Sequence, residues 1–319
     1  MSNIQRTIRI GSRGSPLALA QVAMVEEALA SQYPELKTER VIITTSGDWK
    51  PEDGEVRLSA RAGGKAQFAK EIEEALLAGE IDCAVHSMKD MDSNLPGGLV
   101  INHMLPREDV RDCLLFSNKL ADNSQLSMES VPNGASVGTA SVRRGAFLLA
   151  KRSDLKIEPF RGNVQTRIEK VRAGNVDCTM LALAGLKRLG IEDKADVVLD
   201  VEDMLPAAAQ GAVGIELRAG DNNVSSIFSQ ISDEKTVLCV KSERAAVRAL
   251  NGHCHSPIGA YAVFDGDEMW LRVRVASEDG QQNFEDEIHG SVGNVKEAKA
   301  LGTAIGTRLK AIIPSGILK

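Results

Sequence analysis

Residues 7–20, TIRIGSRGSPLALA, predict a short strand, a turn and the start of a helix in direct succession. The strand is predicted over residues 7–10. Ser15 suits the N-cap and Pro16 the first helical position, because the serine side chain accepts a backbone N–H and proline needs no acceptor there. An apolar stripe at helical spacing extends the helix, with Leu17, Ala20, Met24 and Ala28 on one face.

The same alternation continues through the first third of the chain. A strand is predicted at 41–45, a helix at 68–78 that Gly79 ends, and a buried strand at 81–85. Between them, residues 47–64 are polar, charged and rich in glycine, and we expect a mobile loop. Strands that alternate with helices predict a parallel sheet with helices on its faces.

A second unit follows the same plan, and a third does not. Strands are predicted at 135–138, 156–160 and 178–183, each followed by a helical segment. From about residue 234 the pattern becomes one helix, three strands (258–264, 269–276 and 283–289) and a last helix from Val295. The chain is therefore predicted to form two α/β domains and a C-terminal α+β domain.

Composition limits the function classes. With 43% apolar and 26% charged residues, the 319-residue chain is typical of a soluble globular protein. A formal net charge of −6 argues against broad binding of nucleic acid or anionic membranes. No apolar signal core or membrane-length segment is present, and five cysteines without framework spacing favour a reducing compartment. We expect a cytoplasmic protein.

Two strand-to-helix turns share hydroxyl groups, glycine and arginine. They are GSRGS at 11–15 and GTASVRR at 138–144. Arginine near a helix N-terminus opposes the helix dipole and costs a few tenths to about 1 kcal/mol, unless an anion binds there. Solvated surface arginine is the alternative for either turn alone. Together with Arg161 and Arg167, the turns predict a cleft between two similar domains that binds a polyanion, in particular several carboxylates.

Residues 86–90, HSMKD, follow a predicted buried strand and so lie where open α/β sheets place ligands. Lys89 could form a Schiff base, or it could contact an anion while Asp90 stabilises positive charge and moves protons. A surface ion pair between the two residues is the third possibility.

Residues 243–262, ERAAVRALNGHCHSPIGAYA, begin as an amphipathic helix and stop at Asn251 and Gly252. Cys254 then lies between two histidines on a loop. This placement favours thiolate chemistry, although a half-buried cysteine in a tight turn fits equally well. No metal site is predicted, because adjacent ligands compete for one side of a metal and no second Cys or His pair is near.

Segments in order along nearly the whole chain resemble the porphobilinogen deaminase (hydroxymethylbilane synthase) family. They are GSRGSPLALAQ (11–21), GGKAQFAKEIEEALL (63–77), VHSMKD (85–90), REDVRD (107–112), GTASVRR (138–144), RGNVQTR (161–167), LALAGLKRLG (181–190), LPAAAQGAVGIE (205–216) and residues 243–262. The resemblance implies two α/β domains like type-II periplasmic binding proteins and a C-terminal domain that carries a cofactor cysteine. The chain would cross twice between the first two, giving domains 1–105 with 211–231, 106–210 and 232–319.

The resemblance also implies a reaction. Four molecules of porphobilinogen condense with loss of ammonia into linear hydroxymethylbilane, on a dipyrromethane primer joined to Cys254 by a thioether. Asp90 matches the catalytic carboxylate of the family. A cytoplasmic monomer that binds this small-molecule substrate, without nucleic acid or membrane, is expected.

The family match assigns binding roles residue by residue. The matched cofactor-binding residues are Lys89, Asp90, Thr139, Ser141, Arg143 and Arg144. The matched substrate-binding residues are Arg13, Ser15, Gln21, Lys65, Phe68, Arg161, Asn163, Arg167, Arg188 and Gln210. The chain departs from the family pattern at Ala66 and Gln67, Met91 and Asp92, Val110, Ala209 and His253. These changes leave the lid loop and the surroundings of Cys254 open, but they remove no charged or nucleophilic position.

Two other functions remain open from the residues. A non-enzymatic protein could close two lobes on a dicarboxylate, which explains the arginine turns but gives Cys254 and Asp90 no task. A Schiff-base aldolase could use Lys89, although the arginine excess around the predicted cleft argues against it.

Overall fold

The computed structural model describes residues 7–46, 69–121, 126–253 and 256–318. Its first elements are β1 (Ile8–Ser12), α1 (Pro16–Gln32), β2 (Thr38–Ile42), α2 (Lys70–Leu77), β3 (Cys83–Ser87), β4 (Leu99–Met104), β5 (Asp112–Phe116) and α3 (Asn118–Ala121). The middle of the chain forms β6 (Ser136–Gly138), α4 (Val142–Lys151), β7 (Lys156–Glu158), α5 (Val164–Arg172), β8 (Cys178–Ala182), α6 (Leu183–Arg188) and β9 (Val197–Val198). The remaining elements are β10 (Val213–Arg218), α7 (Asn222–Ser229), α8 (Glu234–Ala249), β11 (Ile258–Asp265), β12 (Glu268–Ala276), β13 (Asn283–Ser291) and α9 (Val295–Ile312).

The described strands form two five-stranded sheets and one three-stranded sheet. The first sheet has the order β2-β1-β3-β10-β4, and the second has the order β7-β6-β8-β5-β9. The third is the antiparallel meander β11-β12-β13, on which α8 and α9 pack. Two α/β units and a C-terminal α+β unit confirm the predicted fold class.

The predicted parallel pairing is confirmed for part of each five-stranded sheet only. In the first sheet β1 pairs in parallel with β2 and β3, but β10 runs antiparallel to both of its neighbours. In the second sheet β5 is likewise antiparallel to β8 and β9. Each of these strands is reached by a connection that leaves the other sheet, so no crossover helix forces it to run parallel to its neighbours.

Helix α1 has the predicted cap, and its most buried face lies beside the predicted apolar stripe. Ser15 Oγ accepts a hydrogen bond from Ala18 N at 3.3 Å, and Pro16 begins the helix. The buried side chains of the helix are Gln21, Val22, Val25 and Leu29, whereas Leu17, Ala20, Met24 and Ala28 are only half-buried. The buried face is thus rotated by one position from the predicted stripe. Leu17 packs against the core of the second sheet, which includes Phe160 and Val164.

The C-terminal unit depends on close packing between α8 and α9. A Cβ atom at Gly302 would lie 2.0 Å from the carbonyl oxygen of Ser242, so only glycine allows the two helices to approach this closely. Helix α8 ends at Ala249, and Asn251 has a φ of 55°. The predicted helix stop at Asn251 and Gly252 is therefore confirmed.

Several predicted boundaries differ from the structure. The strand predicted at 41–45 lies at Thr38–Ile42, and strands β4 and β5 had no predicted counterpart. The loop predicted at 47–64 lies outside the described residues. In the parts of the chain that are described, no helix has both the length and the apolar character that a membrane crossing requires.

Candidate active site

A cavity lies at the carboxyl ends of the parallel strands β1 and β3, where α/β sheets place ligands. Its polar lining includes Arg13, Ser15 and Gln21 from the β1–α1 turn and helix α1, and Ser87 and Asp90 from the end of β3. The structure therefore brings together four predicted site residues of the first domain. Ser87, which was not predicted as a site residue, lies in the same cavity. Gln21 is buried, and its Nε2 donates to Ser87 Oγ at 2.6 Å, which fixes α1 against the end of β3.

Asp90 lies at the end of a single 3₁₀ turn, Met88–Asp90, that directly follows β3. Met88 is buried beneath this turn and its N–H donates to the carbonyl of Ala212 at 3.1 Å. From the other side, Arg244 Nη1 donates to the carbonyl of Met91 at 2.9 Å. Backbone contacts on both sides of Asp90 thus position its carboxylate at the cavity. Lys89 is half-buried in the same turn.

The second sheet supplies a matching set of turns. Ser141 caps α4 by accepting from Arg144 N at 3.4 Å, and Thr139 Oγ1 accepts from Ser141 N at 3.1 Å. Asn163 caps α5 by accepting from Thr166 N at 2.8 Å. The predicted hydroxyl and amide groups therefore shape the helix starts of this sheet. Arg161 lies just before the Asn163 cap and is buried.

Arg167 on α5 is the residue that relates the second sheet to Asp90. The pKa of Arg167 is lowered to about 10, first by burial and then by the positive charge of Arg144, while the negative charge of Asp90 opposes the shift. The guanidinium thus lies within electrostatic reach of Asp90, across the gap between the two sheets. Its Nε is buried and has no hydrogen-bond partner among the described residues.

Arg143 and Arg144 converge on one buried carboxylate, Asp112 of β5. Arg143 Nη2 donates to Asp112 Oδ2 at 2.6 Å and Arg144 Nη2 donates to Oδ1 at 2.7 Å. Gln210 Nε2 also donates to Oδ1, at 2.9 Å. Although burial opposes ionisation, the two arginines hold the pKa of Asp112 well below its ordinary value. The shared carboxylate compensates two buried cations, which would otherwise be costly to desolvate.

Arg188 lies beside the connection that returns the chain to the first sheet. Its Nη2 donates to the carbonyl of Gly211 at 2.6 Å, and burial lowers the pKa of Arg188 to about 10. The next residue back, Lys187, pairs with Glu108 at 2.6 Å. Arg188 and Gln210 thus both contact the segments that cross between the sheets.

Known proteins similar to this chain distinguish a deaminase from a binding protein and from a Schiff-base aldolase. Residues 8–226 match the family described as porphobilinogen deaminase, dipyromethane cofactor binding domain. Residues 237–311 match the porphobilinogen deaminase C-terminal domain. The chain belongs to the porphobilinogen deaminase family.

Relatives in this family match over nearly the full length. A porphobilinogen deaminase of Sorangium cellulosum is 43% identical over 304 residues, covering 95% of this chain and 98% of the relative. One of Paracoccus denitrificans is 43% identical over 318 residues, covering 99% of this chain and 97% of the relative. A chloroplastic porphobilinogen deaminase of Oryza sativa is 46% identical over 289 residues, covering 87% of this chain and 76% of the relative.

Among solved structures, the chain is similar to solute-binding proteins. An ancestral cationic amino acid solute-binding protein is 17% identical, with a TM-score of 0.42, over 70% of this chain and 88% of that chain. A periplasmic sulfonate-binding protein from Methylobacillus flagellatus is 14% identical, with a TM-score of 0.39, over 76% of this chain and 69% of that chain.

The residues present fit the dipyrromethane group of the porphobilinogen deaminase family. A chain of pyrroles that carry acetate and propionate groups needs cationic hydrogen-bond donors. Within the described chain, buried Nε atoms of Arg143, Arg167 and Arg188 have no hydrogen-bond partner. Buried donors without a protein acceptor are uncommon, and carboxylates of a bound pyrrole chain would supply the acceptors.

Three residues predicted for the family reaction cannot be placed. Cys254, Lys65 and Phe68 lie outside the described residues. The structure does describe the neighbours of Cys254: His253 N donates to Ser256 Oγ at 3.1 Å, and Ser256 N donates to the His253 carbonyl at 2.9 Å.

The four cysteines that the structure describes are poor candidates for attachment. Cys83, Cys113, Cys178 and Cys239 are all buried. Burial raises the pKa of Cys113, Cys178 and Cys239 to about 12 and shifts Cys83 in the same direction. Because the thiolate is the nucleophile, these side chains are inert near neutral pH.

The sequence did not reveal a buried histidine–carboxylate pair at the cavity, which His86 helps to line. His86 Nε2 lies 2.9 Å from Glu216 Oε2, and both side chains are buried. Glu73 of α2 lies within their field: burial and the charge of Glu216 raise the pKa of Glu73 to about 7. His86 and Glu216 were present in the quoted motifs, but their pairing joins residues far apart in sequence. Asp112 was missed for the same reason.

Proposed function

We propose that the chain is a porphobilinogen deaminase, also called hydroxymethylbilane synthase. It condenses four molecules of porphobilinogen, with loss of one ammonia each, and releases linear hydroxymethylbilane by hydrolysis. A dipyrromethane bound through a thioether to Cys254 supplies the pyrrole carbon to which the first substrate is joined. The observation that supports this function best is the cavity that Arg13, Ser15, Gln21 and Asp90 line together.

Asp90 has the central chemical role in the proposed reaction. When the aminomethyl C–N bond of the substrate breaks, ammonia leaves and the pyrrole becomes a cation. The Asp90 carboxylate stabilises that positive charge, since a fixed charge in a closed site needs no solvent reorganisation. A terminal pyrrole held by the proposed cofactor-binding residues would supply the free α-carbon to which the methylene carbon is joined. The proton that this α-carbon loses can be taken up by Asp90.

The arginines have a binding role that lysine would fill poorly. A guanidinium donates to a carboxylate through two parallel N–H groups and stays charged, whereas an ammonium is a point charge. Arg13, Arg161, Arg167 and Arg188 are proposed to bind the carboxylates of the substrate and the growing chain, together with Ser15, Gln21, Lys65, Phe68, Asn163 and Gln210. Lys89, Asp90, Thr139, Ser141, Arg143 and Arg144 are proposed to bind the cofactor.

The chain crosses twice between the two five-stranded sheets, and this connectivity suits the reaction. The proposed domains are 1–105 with 211–231, 106–210 and 232–319. The membership of the described strands supports the division, since β5 to β9 share one sheet while β1 to β4 share the other with β10. Such a division lets two lobes adjust as the bound chain lengthens. We also propose that the protein is cytoplasmic and monomeric. Light scattering after gel filtration tests the monomeric state.

Turnover of porphobilinogen by the purified protein tests the proposed function. The expected result is one ammonia released per porphobilinogen consumed, and one linear tetrapyrrole formed per four. Saturable binding of porphobilinogen without consumption would instead indicate a non-enzymatic binding protein. Borohydride trapping of substrate on Lys89 would indicate Schiff-base chemistry and contradict the proposal.

A further inference from the structure

A second cavity, of about 370 Å³, lies between α8, α9 and the segment that follows Asp90. Its described lining includes Ser93 and Asn94 but none of the residues that line the Asp90 cavity. It therefore belongs to a different surface of the 88–94 segment, and no role in the proposed reaction uses it.

Four cations surround this cavity. Lys241, Arg244 and Arg248 project from one face of α8 at spacings of three and four residues, and Lys299 comes from α9. Among the described residues that line it there is no carboxylate. Two carboxylates outside this lining, Asp92 and Glu216, act on the charge of Arg244. Four positive charges with so little compensation are costly to hold around one partly enclosed space.

The ionisation of these groups reflects that cost. Burial lowers the pKa of Lys241 to about 8, and the charges of Lys299, Arg244 and Arg248 act in the same direction. Burial and Arg248 likewise lower the pKa of Arg244 to about 10, against the opposing effect of Asp92. An anion with two charges in the cavity would remove the mutual repulsion.

Besides the four cations and the polar Ser93 and Asn94, the lining has an apolar part. Met88, Leu95, Ile101 and Met104 contribute hydrophobic side chains to the same cavity. Met88, Ile101 and Met104 are buried, but Leu95 is partly exposed. A bare inorganic ion would leave the Leu95 side chain against water, whereas an organic body would cover it. We propose that this cavity is a binding site for a small organic anion that carries at least two carboxylate or phosphate groups.

Two cations of this cavity hydrogen-bond to the backbone on either side of Asp90. Arg244 donates to the carbonyls of Met88 and Met91, and Arg248 Nη1 donates to the carbonyl of Ser93 at 3.0 Å. A bound anion would contact the same guanidinium groups that hold the backbone on either side of Asp90. Binding itself does not depend on the proposed reaction.

Calorimetric titration of the purified full-length protein with phthalate, an aromatic dicarboxylate, tests the proposal at constant ionic strength. We expect saturable binding that weakens roughly tenfold in Arg248→Gln and in Lys299→Gln, because each removes one charge-assisted hydrogen bond. Lys296→Gln, an exposed lysine on the same helix as Lys299, is the matched control and should bind as the unmodified chain does. Lys299 is itself exposed, so its replacement should not disturb folding.

Two further arms locate the site and its ligand class. Arg13→Gln, a change in the lining of the Asp90 cavity, should leave phthalate binding unchanged, and inorganic phosphate should bind more weakly than phthalate. Absence of saturable binding would overturn the proposal. So would binding that is lost in Arg13→Gln but kept in Arg248→Gln and Lys299→Gln, because the dianion would then occupy the cavity at Asp90. Equal affinity for phosphate would overturn the assignment to an organic anion.

Discussion

Arg107 donates to both carboxylate oxygens of Glu243, with Nη1–Oε1 at 2.6 Å and Nη2–Oε2 at 3.1 Å. Glu243 is fully buried and also accepts from Ala209 N at 2.6 Å and Ala262 N at 2.8 Å. Arg107 Nε donates to the carbonyl of Gln210 at 2.9 Å. Although burial opposes it, Glu243 raises the pKa of Arg107 above its ordinary value. This ion pair joins both crossings between the sheets to α8 and β11.

Replacing Arg107 should therefore destabilise the whole chain. In Arg107→Gln the Glu243 carboxylate stays buried without its cation, a change that costs about 3–5 kcal/mol in free energy of unfolding. Urea denaturation measures this cost. Arg111→Gln is the matched control: Arg111 pairs with Asp109, but its side chain is 40% exposed. That change should cost less than about 1 kcal/mol. Equal losses of unfolding free energy in the two variants would show that the buried ion pair stabilises the fold no more than the exposed one.

Asp90→Asn should keep the fold and lose turnover. The amide fits the same space but carries no charge to stabilise the substrate cation, and such a loss typically costs roughly 100- to 1,000-fold in kcat. Steady-state kinetics measure turnover, and thermal unfolding checks the fold. Asp92→Asn, which alters a neighbouring carboxylate that does not line the Asp90 cavity, should retain most turnover. Near-normal kcat in Asp90→Asn would remove Asp90 from the mechanism.

Arg167→Lys should slow chain growth although the positive charge is kept. One ammonium cannot reproduce the two-point contact of a guanidinium with a carboxylate. We expect turnover to fall roughly tenfold or more, corresponding to about 1.4 kcal/mol of transition-state stabilisation. Arg172→Lys lies on the same helix, where Arg172 pairs with Asp196, and serves as the control. If both variants behave alike, Arg167 is only a structural residue.

Glu73 should make stability depend on pH. Burial first, and then the charge of Glu216, raise the pKa of Glu73 to about 7; Asp92 and Glu74 act in the same direction and His86 opposes them. A raised folded-state pKa means that the stabilisation is complete below the ordinary value near 4.5 and is lost as pH rises through about 7.

Glu73→Gln removes this titration. Compared with the unmodified chain, we expect the variant to gain on the order of 1–2 kcal/mol in free energy of unfolding between pH 4.5 and pH 8. This is less than the full shift implies, because solvent screens the half-buried carboxylate. Urea denaturation at several pH values measures the difference. Glu74→Gln, on the exposed side of the same helix, should follow the unmodified chain. Parallel pH profiles for the unmodified chain and Glu73→Gln would contradict the account.

The order of strands and helices could be predicted from the sequence because it is encoded locally. The caps at Ser15 and Ser141 and the helix stop at Asn251 depend on residues within a few positions of one another. The direction of β10 and β5 could not be predicted, since it depends on which sheet the chain enters and from which end. The same holds for β4 and β5 as elements, whose pairing partners lie far away in sequence.

In the candidate site, too, local segments could be predicted and contacts between distant residues could not. The arginine turns and HSMKD could be recognised as segments. The sequence did not reveal that Arg143, Arg144 and Gln210 share the Asp112 carboxylate, because those contacts bridge about 30 to 100 positions. Which buried charges neutralise one another depends on which residues are close in three dimensions, and spacing along the sequence does not show this.

The central claim is that a dipyrromethane on Cys254 primes the reaction, and the intact mass of the purified protein tests it most directly. The account predicts a mass that exceeds the sequence mass by two pyrrole units. That excess should disappear in Cys254→Ala and persist in Cys239→Ala, where the replaced thiol is buried. An active protein with the bare sequence mass, or an excess that survives in Cys254→Ala, would contradict it.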